Sequence, residues 1–201
     1  MSLPESRIAP FDGLSVCLFC GSSDAADPKY TRAAADFGLA TAQAGWRLVY
    51  GGGGVGLMGA SARAAHEAGG RVLGVMPGFL RSRERLFDEV ETLVVTSMHE
   101  RKQIMYDQSD AFVVAPGGIG TLEEVVELLS WKRLDLHGKP VIFLNVDGFW
   151  DTFFDLMRHS VASGFTPETF LRAWTVADTV EQAIDQMTPG PDTMPLQHDR
   201  R

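Results

Sequence analysis

Short apolar runs alternate with longer amphipathic stretches along most of the chain. The longer stretches repeat their apolar positions every three or four residues, so the pattern predicts strands that alternate with helices. Strands are predicted at 14–20, 47–50, 71–76, 92–95, 111–115, 140–144 and 173–176. Helices are predicted at 28–44, 56–68, 98–108, 121–132, 149–162 and 179–187.

This alternation indicates a fold class. Strands that are almost continuously apolar and are separated by helices form a parallel sheet that is covered on both faces. We therefore expect an α/β fold that is three-layered, Rossmann-like and doubly wound, with a mainly parallel sheet and helices on both faces. Ligands of such sheets bind beyond the carboxyl ends of the strands, so the loops that follow the strands form the candidate site.

The length and composition suit one such domain. The chain has 201 residues, of which 45% are hydrophobic. We expect residues 1–13 to form an N-terminal arm, residues 14–187 a single domain, and residues 188–201 a flexible C-terminal tail. The first residues lack the apolar core of a signal peptide, and no apolar run approaches the ~20 residues that a membrane span needs.

The charge limits the class of partner. Lysine and arginine number 18 against 26 acidic residues, which gives a formal net charge of −8. This balance argues against a surface that follows the backbone of a nucleic acid polymer. An anionic ligand must instead be bound locally, by loop amides and a few cations.

Cys17 and Cys20 have the spacing of a redox or metal motif, but they fall in a predicted strand. Residues three apart on a strand face opposite sides of the sheet, so this pair is poorly placed for a disulfide or a shared metal. We expect two buried cysteines in a reducing, cytoplasmic compartment. The five histidines are scattered without a metal-ligand spacing, and no metal site is expected.

The segment GGGGVGLMG places Gly51, Gly53 and Gly56 at the spacing of a dinucleotide-binding loop. That fingerprint also needs an acidic residue at the end of the next strand, where this chain has Met76 and Pro77. We therefore reject NAD as a ligand. Two interpretations of the loop stay open: a tight turn between strand and helix, or a surface for another ligand.

The segment APGGIGTLEE follows the predicted strand 111–115. Thr121 and Glu124 have the spacing of a capping box, which accounts for both residues if the helix begins there. Capping does not account for the glycines at 117, 118 and 120. Glycines at such a junction let the backbone approach a ligand and direct several amides at one point, so we predict that a phosphate binds there.

The segment SMHERK begins the next candidate helix, with Ser97 and Glu100 as a second capping box. Arg101 falls on the face of this helix that points inward. A guanidinium in an apolar stripe needs either a ligand or a buried ion-pair partner, and the sequence leaves both alternatives open.

The segments CGSS, GGGGVGLMG, SMHERK and PGGIGTLEE, in this order and spacing, resemble the LONELY GUY (LOG) family of cytokinin riboside 5′-monophosphate phosphoribohydrolases. The resemblance covers roughly residues 14–187 and implies that this domain is nucleotide-binding and catalytic. It implies Arg101 and Glu124 as the catalytic pair. The substrate contacts that it implies are Ser22, Gly52, Gly53, Glu84, Arg101, Lys102, Gly117, Gly118, Ile119, Gly120, Thr121, Glu123 and Ser130.

The implied reaction is hydrolysis of the N-glycosidic bond of N6-prenylated adenosine 5′-monophosphate, which releases the free base and ribose 5-phosphate. The alternatives are a nucleosidase with another base preference and a non-catalytic nucleotide-binding module. Many family members carry a lysine decarboxylase-like label, but the four lysines give no distinct Schiff-base signature, and no cofactor is expected. The resemblance also implies a homodimer, and Trp131, Trp150, Phe153 and Phe154 would serve either its interface or the core.

Overall fold

The structure is a computed structural model that describes residues 8–81 and 85–187. The strands are β1 Ser15–Phe19, β2 Arg47–Tyr50, β3 Arg71–Pro77, β4 Glu91–Val95, β5 Ala111–Val114, β6 Val141–Leu144 and β7 Thr175–Ala177. The helices are α1 Pro28–Gln43, α2 Gly56–Glu67, α3 Met98–Asp107, α4 Ile119–Arg133, α5 Asp151–Ala162 and α6 Val180–Met187.

Within the described ranges the strands form one seven-stranded sheet in the order β4-β3-β2-β1-β5-β6-β7. Every neighbouring pair is parallel. The predicted α/β, Rossmann-like fold is confirmed. Because the chain runs outward from β1 in one direction and returns to β5 on the other side, the strand order reverses between β1 and β5. Such a reversal opens a crevice at the carboxyl ends of the two strands.

Two apolar clusters cover the two faces of the sheet. Cys20 belongs to the cluster under α1 and α2, and Cys17 to the cluster on the opposite face. Both cysteines are buried and free, as the alternation of strand side chains predicts. Burial is the largest cause of the raised pKa of each thiol, so both are protonated and unreactive at neutral pH.

Three of the aromatic residues considered for an interface lie in the core. Trp150, Phe153 and Phe154 are buried, and their rings surround Phe143 with centroids 5.2–5.3 Å away. Trp131 is half-buried and meets Tyr106 edge-on. Packing of this kind explains all four residues without a partner chain.

The described part of the N-terminal segment lies against the domain. The amide of Ala9 donates a 2.7 Å hydrogen bond to Glu91, and the Arg47 guanidinium lies 5.4 Å from the centre of the Phe11 ring. Residues 1–7 and the predicted tail 188–201 lie outside the described residues. Among the helices that are described, none is both long and apolar enough to cross a membrane.

His137 makes the stability of the fold depend on pH. Its Nε2 is 3.0 Å from the Leu128 carbonyl, and burial together with nearby Lys132 and Lys139 lowers its pKa. As the pH falls through the ordinary histidine pKa of ~6.5, the unfolded chain binds a proton before the folded chain does, so the free energy of unfolding falls. We expect His137→Gln to lessen the drop in Tm between pH 7 and pH 5 by a few degrees.

Thermal unfolding at both pH values tests this expectation, with His159→Gln on the exposed surface of α5 as the control. An equal drop in Tm for His137→Gln and the unsubstituted protein would contradict the assignment to His137.

Candidate active site

The loops after β1 and β5 meet at the crevice. The amide of Gly21 donates a 3.0 Å hydrogen bond to the Pro116 carbonyl. A side chain at Gly21 would place its Cβ 3.3 Å from the Cα of Gly117, so glycine allows the two loops to touch. The site is therefore built around the first turn of α4, which begins directly after this contact.

The capping box predicted at Thr121 and Glu124 is wrong. Helix α4 begins at Ile119 with Gly118 as its N-cap, and no side chain caps it. Thr121 lies in the first turn and is buried against Gly117, where a Cβ would fall 2.1 Å from the threonine hydroxyl oxygen. Thr121 therefore lies inside the helix and does not serve as its N-cap. Glu124 is consequently not explained by capping.

The first turn of α4 is open. No hydrogen bond joins the amides of Gly118, Ile119 or Gly120 to another described residue. An added Cβ at Gly118 or Gly120 would meet no atom within 4 Å, and neither residue has a positive φ. The protein itself does not need glycine at these two positions. Open amides at a helix N-terminus without side chains form a surface that suits an anion.

The start of α2, by contrast, is filled by the chain's own oxygen atoms. Asp24 accepts a 2.8 Å hydrogen bond from the amide of Gly56, and the Gly21 carbonyl accepts one of 3.0 Å from Leu57. The donors that an anion would need are occupied. Of the two glycine-rich loops, the one at α4 is the better phosphate site.

Contacts within the protein explain the glycines after β2. A Cβ at Gly51 would lie 2.0 Å from a guanidinium nitrogen of Arg101, and Gly52 has a φ of +82°. A close approach and a left-handed conformation therefore require glycine here. Gly52 and Gly53 are both buried, and their contact with substrate stays a prediction.

Arg101 points inward from α3, as the helical period predicts, and only 5% of the residue is exposed. Its Nη2 donates a 3.0 Å hydrogen bond to the Gly51 carbonyl. Ser97 caps α3 by accepting a 3.1 Å hydrogen bond from the amide of Glu100, and the Glu100 carboxylate accepts one from the amide of Thr96. Glu100 thus holds the start of the helix that carries Arg101.

The charges of Glu124 and Arg101 both shift the pKa of the same buried thiol, that of Cys20. Burial is the main cause of the raised pKa of Cys20, the Glu124 carboxylate raises that pKa further, and the Arg101 guanidinium lowers it. Cys20 directly follows β1, so both charges lie near the carboxyl end of the central strand. Glu124 is half-buried on α4. The two residues implied as the catalytic pair therefore lie at the same end of the sheet as the open turn.

Lys102 is held by two carboxylates of α4. Its Nζ pairs with Glu123 and lies 2.7 Å from Glu127. Burial lowers the pKa of Lys102, but these carboxylates outweigh that effect and raise it, so the lysine is protonated. Glu127 is not among the predicted site residues, although its position one turn after Glu123 is a usable signal.

Three implied contacts remain: Ser22, Ser130 and Glu84. Ser22 is half-buried in the loop after β1, where its backbone lies close to Gly56. Ser130 is exposed and lies about 16 Å along α4 from Ile119, so the structure does not bring it to the open turn. Glu84 lies outside the described residues.

The lysines do not suit Schiff-base chemistry at this site. A lysine nucleophile needs a lowered pKa, which Lys102 does not have. Burial lowers the pKa of Lys132 and of Lys139, but both lie at the opposite end of the sheet, near the start of β6. Their ammonium groups donate to the carbonyls of Lys139 and Tyr106. Among the described residues, no group of three or more His, Cys, Asp or Glu side chains could hold a metal ion.

The chain matches known proteins in both sequence and structure. The chain is 42% identical over 170 residues to the cytokinin riboside 5′-monophosphate phosphoribohydrolase LOG of Oryza sativa subsp. japonica, which covers 84% of this chain and 70% of that protein. It is 39% identical over 173 residues to the enzyme LOG3 of Arabidopsis thaliana, which covers 86% of this chain and 80% of that protein. Among solved structures, the molybdenum cofactor carrier protein of Chlamydomonas reinhardtii matches with a TM-score of 0.65 and 26% identity, over 86% of this chain and 94% of that one.

A family profile described as "Possible lysine decarboxylase" matches residues 58–187. This range contains α3, the open turn of α4, and both Arg101 and Glu124. With the identities to two LOG enzymes over most of its length, the chain belongs to the LONELY GUY family.

Proposed function

We propose that the protein hydrolyses the N-glycosidic bond of N6-prenylated adenosine 5′-monophosphate and releases the free base and ribose 5-phosphate. The observation that carries this proposal is the open first turn of α4, at the same end of the sheet as Arg101 and Glu124. The two LOG enzymes named above, at 42% and 39% identity, support the reaction and the substrate class.

The substrate phosphate binds the amides of residues 117–121 in this mechanism. A helix N-terminus favours a negative charge by up to ~1–2 kcal/mol, and the absent side chains at Gly118 and Gly120 leave room for the phosphate oxygens. The contact lies away from the bond that breaks. It fixes the ribose, so binding energy can lower the barrier at the anomeric carbon.

Glu124 acts on the sugar. Cleavage of a glycosidic bond builds positive charge at the anomeric carbon, which a carboxylate stabilises while it also activates water. A guanidinium does not give up its proton in proteins, so Arg101 does not serve as a general acid. Its role is electrostatic: it orients Glu124, holds the ribose phosphate, or polarises the departing base.

Alanine substitutions at three glycines separate effects on phosphate binding from effects on folding. Gly120→Ala and Gly118→Ala should fold, and Gly120→Ala should gain up to ~1 kcal/mol because alanine is the better helix former. Both should raise KM for a monophosphate about tenfold or more, since a methyl group enters the phosphate space. Steady-state kinetics and thermal unfolding measure the two effects.

Gly117→Ala is the comparison for stability alone, because its methyl group would meet Thr121 inside the protein. We expect this variant to lose stability by ~1–3 kcal/mol through overpacking. Unchanged KM in Gly118→Ala and Gly120→Ala would contradict phosphate binding at this turn.

Two rival functions use the same turn. A nucleosidase with another base preference would release ribose 5-phosphate from AMP or from other purine or pyrimidine monophosphates. A non-catalytic binding module would hold the ligand without turnover. The similarity to a cofactor carrier protein at 26% identity supports this alternative. A panel of nucleoside monophosphates scored for ribose 5-phosphate separates all three functions.

We also propose that the protein is a cytoplasmic homodimer. The core explains the aromatic residues first considered for the interface, so the better face is the exposed apolar stripe of α4, where Ile119 is 84% exposed and Val126 51%. Light scattering of the full chain tests the dimer, and a monomer mass would overturn it. The two buried free cysteines support a reducing compartment, which cell fractionation can check.

A further inference from the structure

Lys102 of α3 lies between two carboxylates of α4. Its Nζ pairs with Glu123 and lies 2.7 Å from an oxygen of Glu127. Glu123 and Glu127 are one turn apart, so they share a face of the helix and the lysine bridges both. Only 12% of the Lys102 side chain is exposed, so water screens these contacts less than it screens a surface ion pair.

These ion pairs join residues that are directly adjacent to the proposed catalytic pair. Lys102 follows Arg101, and Glu123 precedes Glu124. A shift of α3 along α4 at this point would move the guanidinium relative to the carboxylate. A misplacement of about 1 Å can lower a rate by ~10²-fold.

A second contact joins the same helices one turn further along. The rings of Tyr106 and Trp131 meet edge-on with centroids 5.4 Å apart. Tyr106 is four residues after Lys102, and Trp131 is four residues after Glu127. The two helices therefore run side by side in the same direction. The aromatic contact holds the ends remote from the site. The charged contact holds the ends that carry Arg101 and Glu124.

We propose that Glu127 is a positioning residue that acts through Lys102. It holds α3 against α4, so that Arg101 and Glu124 can both contact one bound substrate. Glu127 is the more sheltered of the two carboxylates, with 30% of its side chain exposed against 50% for Glu123. It does not touch the reacting atoms. This role rests on the proposed hydrolase function.

Glu127→Gln keeps the size of the side chain and removes its charge. We expect kcat for release of ribose 5-phosphate to fall about tenfold, with KM changed less than about twofold, because alignment is lost and phosphate binding is not. Glu127→Asp restores the charge and should recover part of the lost kcat. Asp155→Asn is the matched control, because it removes an exposed 2.6 Å ion pair with Arg158 on α5 and should leave kcat unchanged.

Amide hydrogen exchange gives a readout that does not depend on activity. We expect faster exchange in residues 98–104 of the Glu127→Gln variant and no change there in Asp155→Asn. Wild-type kcat with unchanged exchange overturns the proposal, and so does a rise in KM alone. If Glu127→Gln does not fold, Glu127→Asp decides: a reduced kcat at constant KM supports the role, and wild-type kcat overturns it.

A lack of ribose 5-phosphate release by the unsubstituted protein would refute the hydrolase, while the exchange experiment would still report whether Glu127 holds the two helices together.

Discussion

Glu124→Gln is expected to lower the turnover of a nucleoside monophosphate by ~10²–10⁴-fold, the range that a positioned acid or base contributes. The substitution keeps the shape of the side chain and removes the charge that would stabilise the developing sugar cation. KM should change little, because the phosphate binds the helix amides and not this carboxylate. The fold should persist, since α4 begins at Ile119 and does not depend on Glu124 for capping.

Steady-state release of ribose 5-phosphate measures this effect, with circular dichroism as the check on folding. Glu67→Gln, at the exposed end of α2, is the control and should retain full activity. Near-normal turnover in Glu124→Gln would remove Glu124 from the catalytic assignment.

Arg101→Ala should have the second largest effect, a fall in turnover of ~10²–10³-fold, as is usual when one preorganised electrostatic donor is removed. The variant also leaves the buried Gly51 carbonyl without its 3.0 Å donor, which costs ~1–3 kcal/mol. A domain stable by ~5–15 kcal/mol remains folded after such a loss. Arg101→Lys keeps the charge and loses the planar fork, so we expect it to recover only part of the activity.

Arg47 supplies a matched control for Arg101. It is also 5% exposed, but it lies at the opposite end of the sheet and donates to Ser15 and Gln108. Arg47→Ala should lose stability and keep turnover per folded molecule. If Arg101→Ala behaves in the same way, Arg101 is a structural residue, as the buried ion-pair interpretation holds.

The sequence predicts most of the fold because the signals are local. The alternation of apolar runs and helical periods predicts the bounds of the named strands and helices to within about two residues. The helical period alone predicts that Arg101 points inward, where it is buried. Likewise, strand geometry placed Cys17 and Cys20 on opposite faces.

Features that depend on tertiary contacts were missed. Thr121 and Glu124 have the spacing of a capping box, whereas α4 begins two residues earlier and Thr121 packs against Gly117. Glu127 acquires a role only because α3 lies beside α4. The sequence also could not distinguish the glycines that the protein needs from Gly118 and Gly120, because that difference is one of surrounding space.

We propose that a phosphate on the first turn of α4 anchors a substrate whose glycosidic bond is then hydrolysed. The decisive measurement is base release from AMP and N6-isopentenyl-AMP, each compared with its unphosphorylated nucleoside. We predict that at least one monophosphate is hydrolysed, with kcat/KM at least ~100-fold above that of its nucleoside. Equal rates for nucleoside and monophosphate, or no base released from either, would contradict this account.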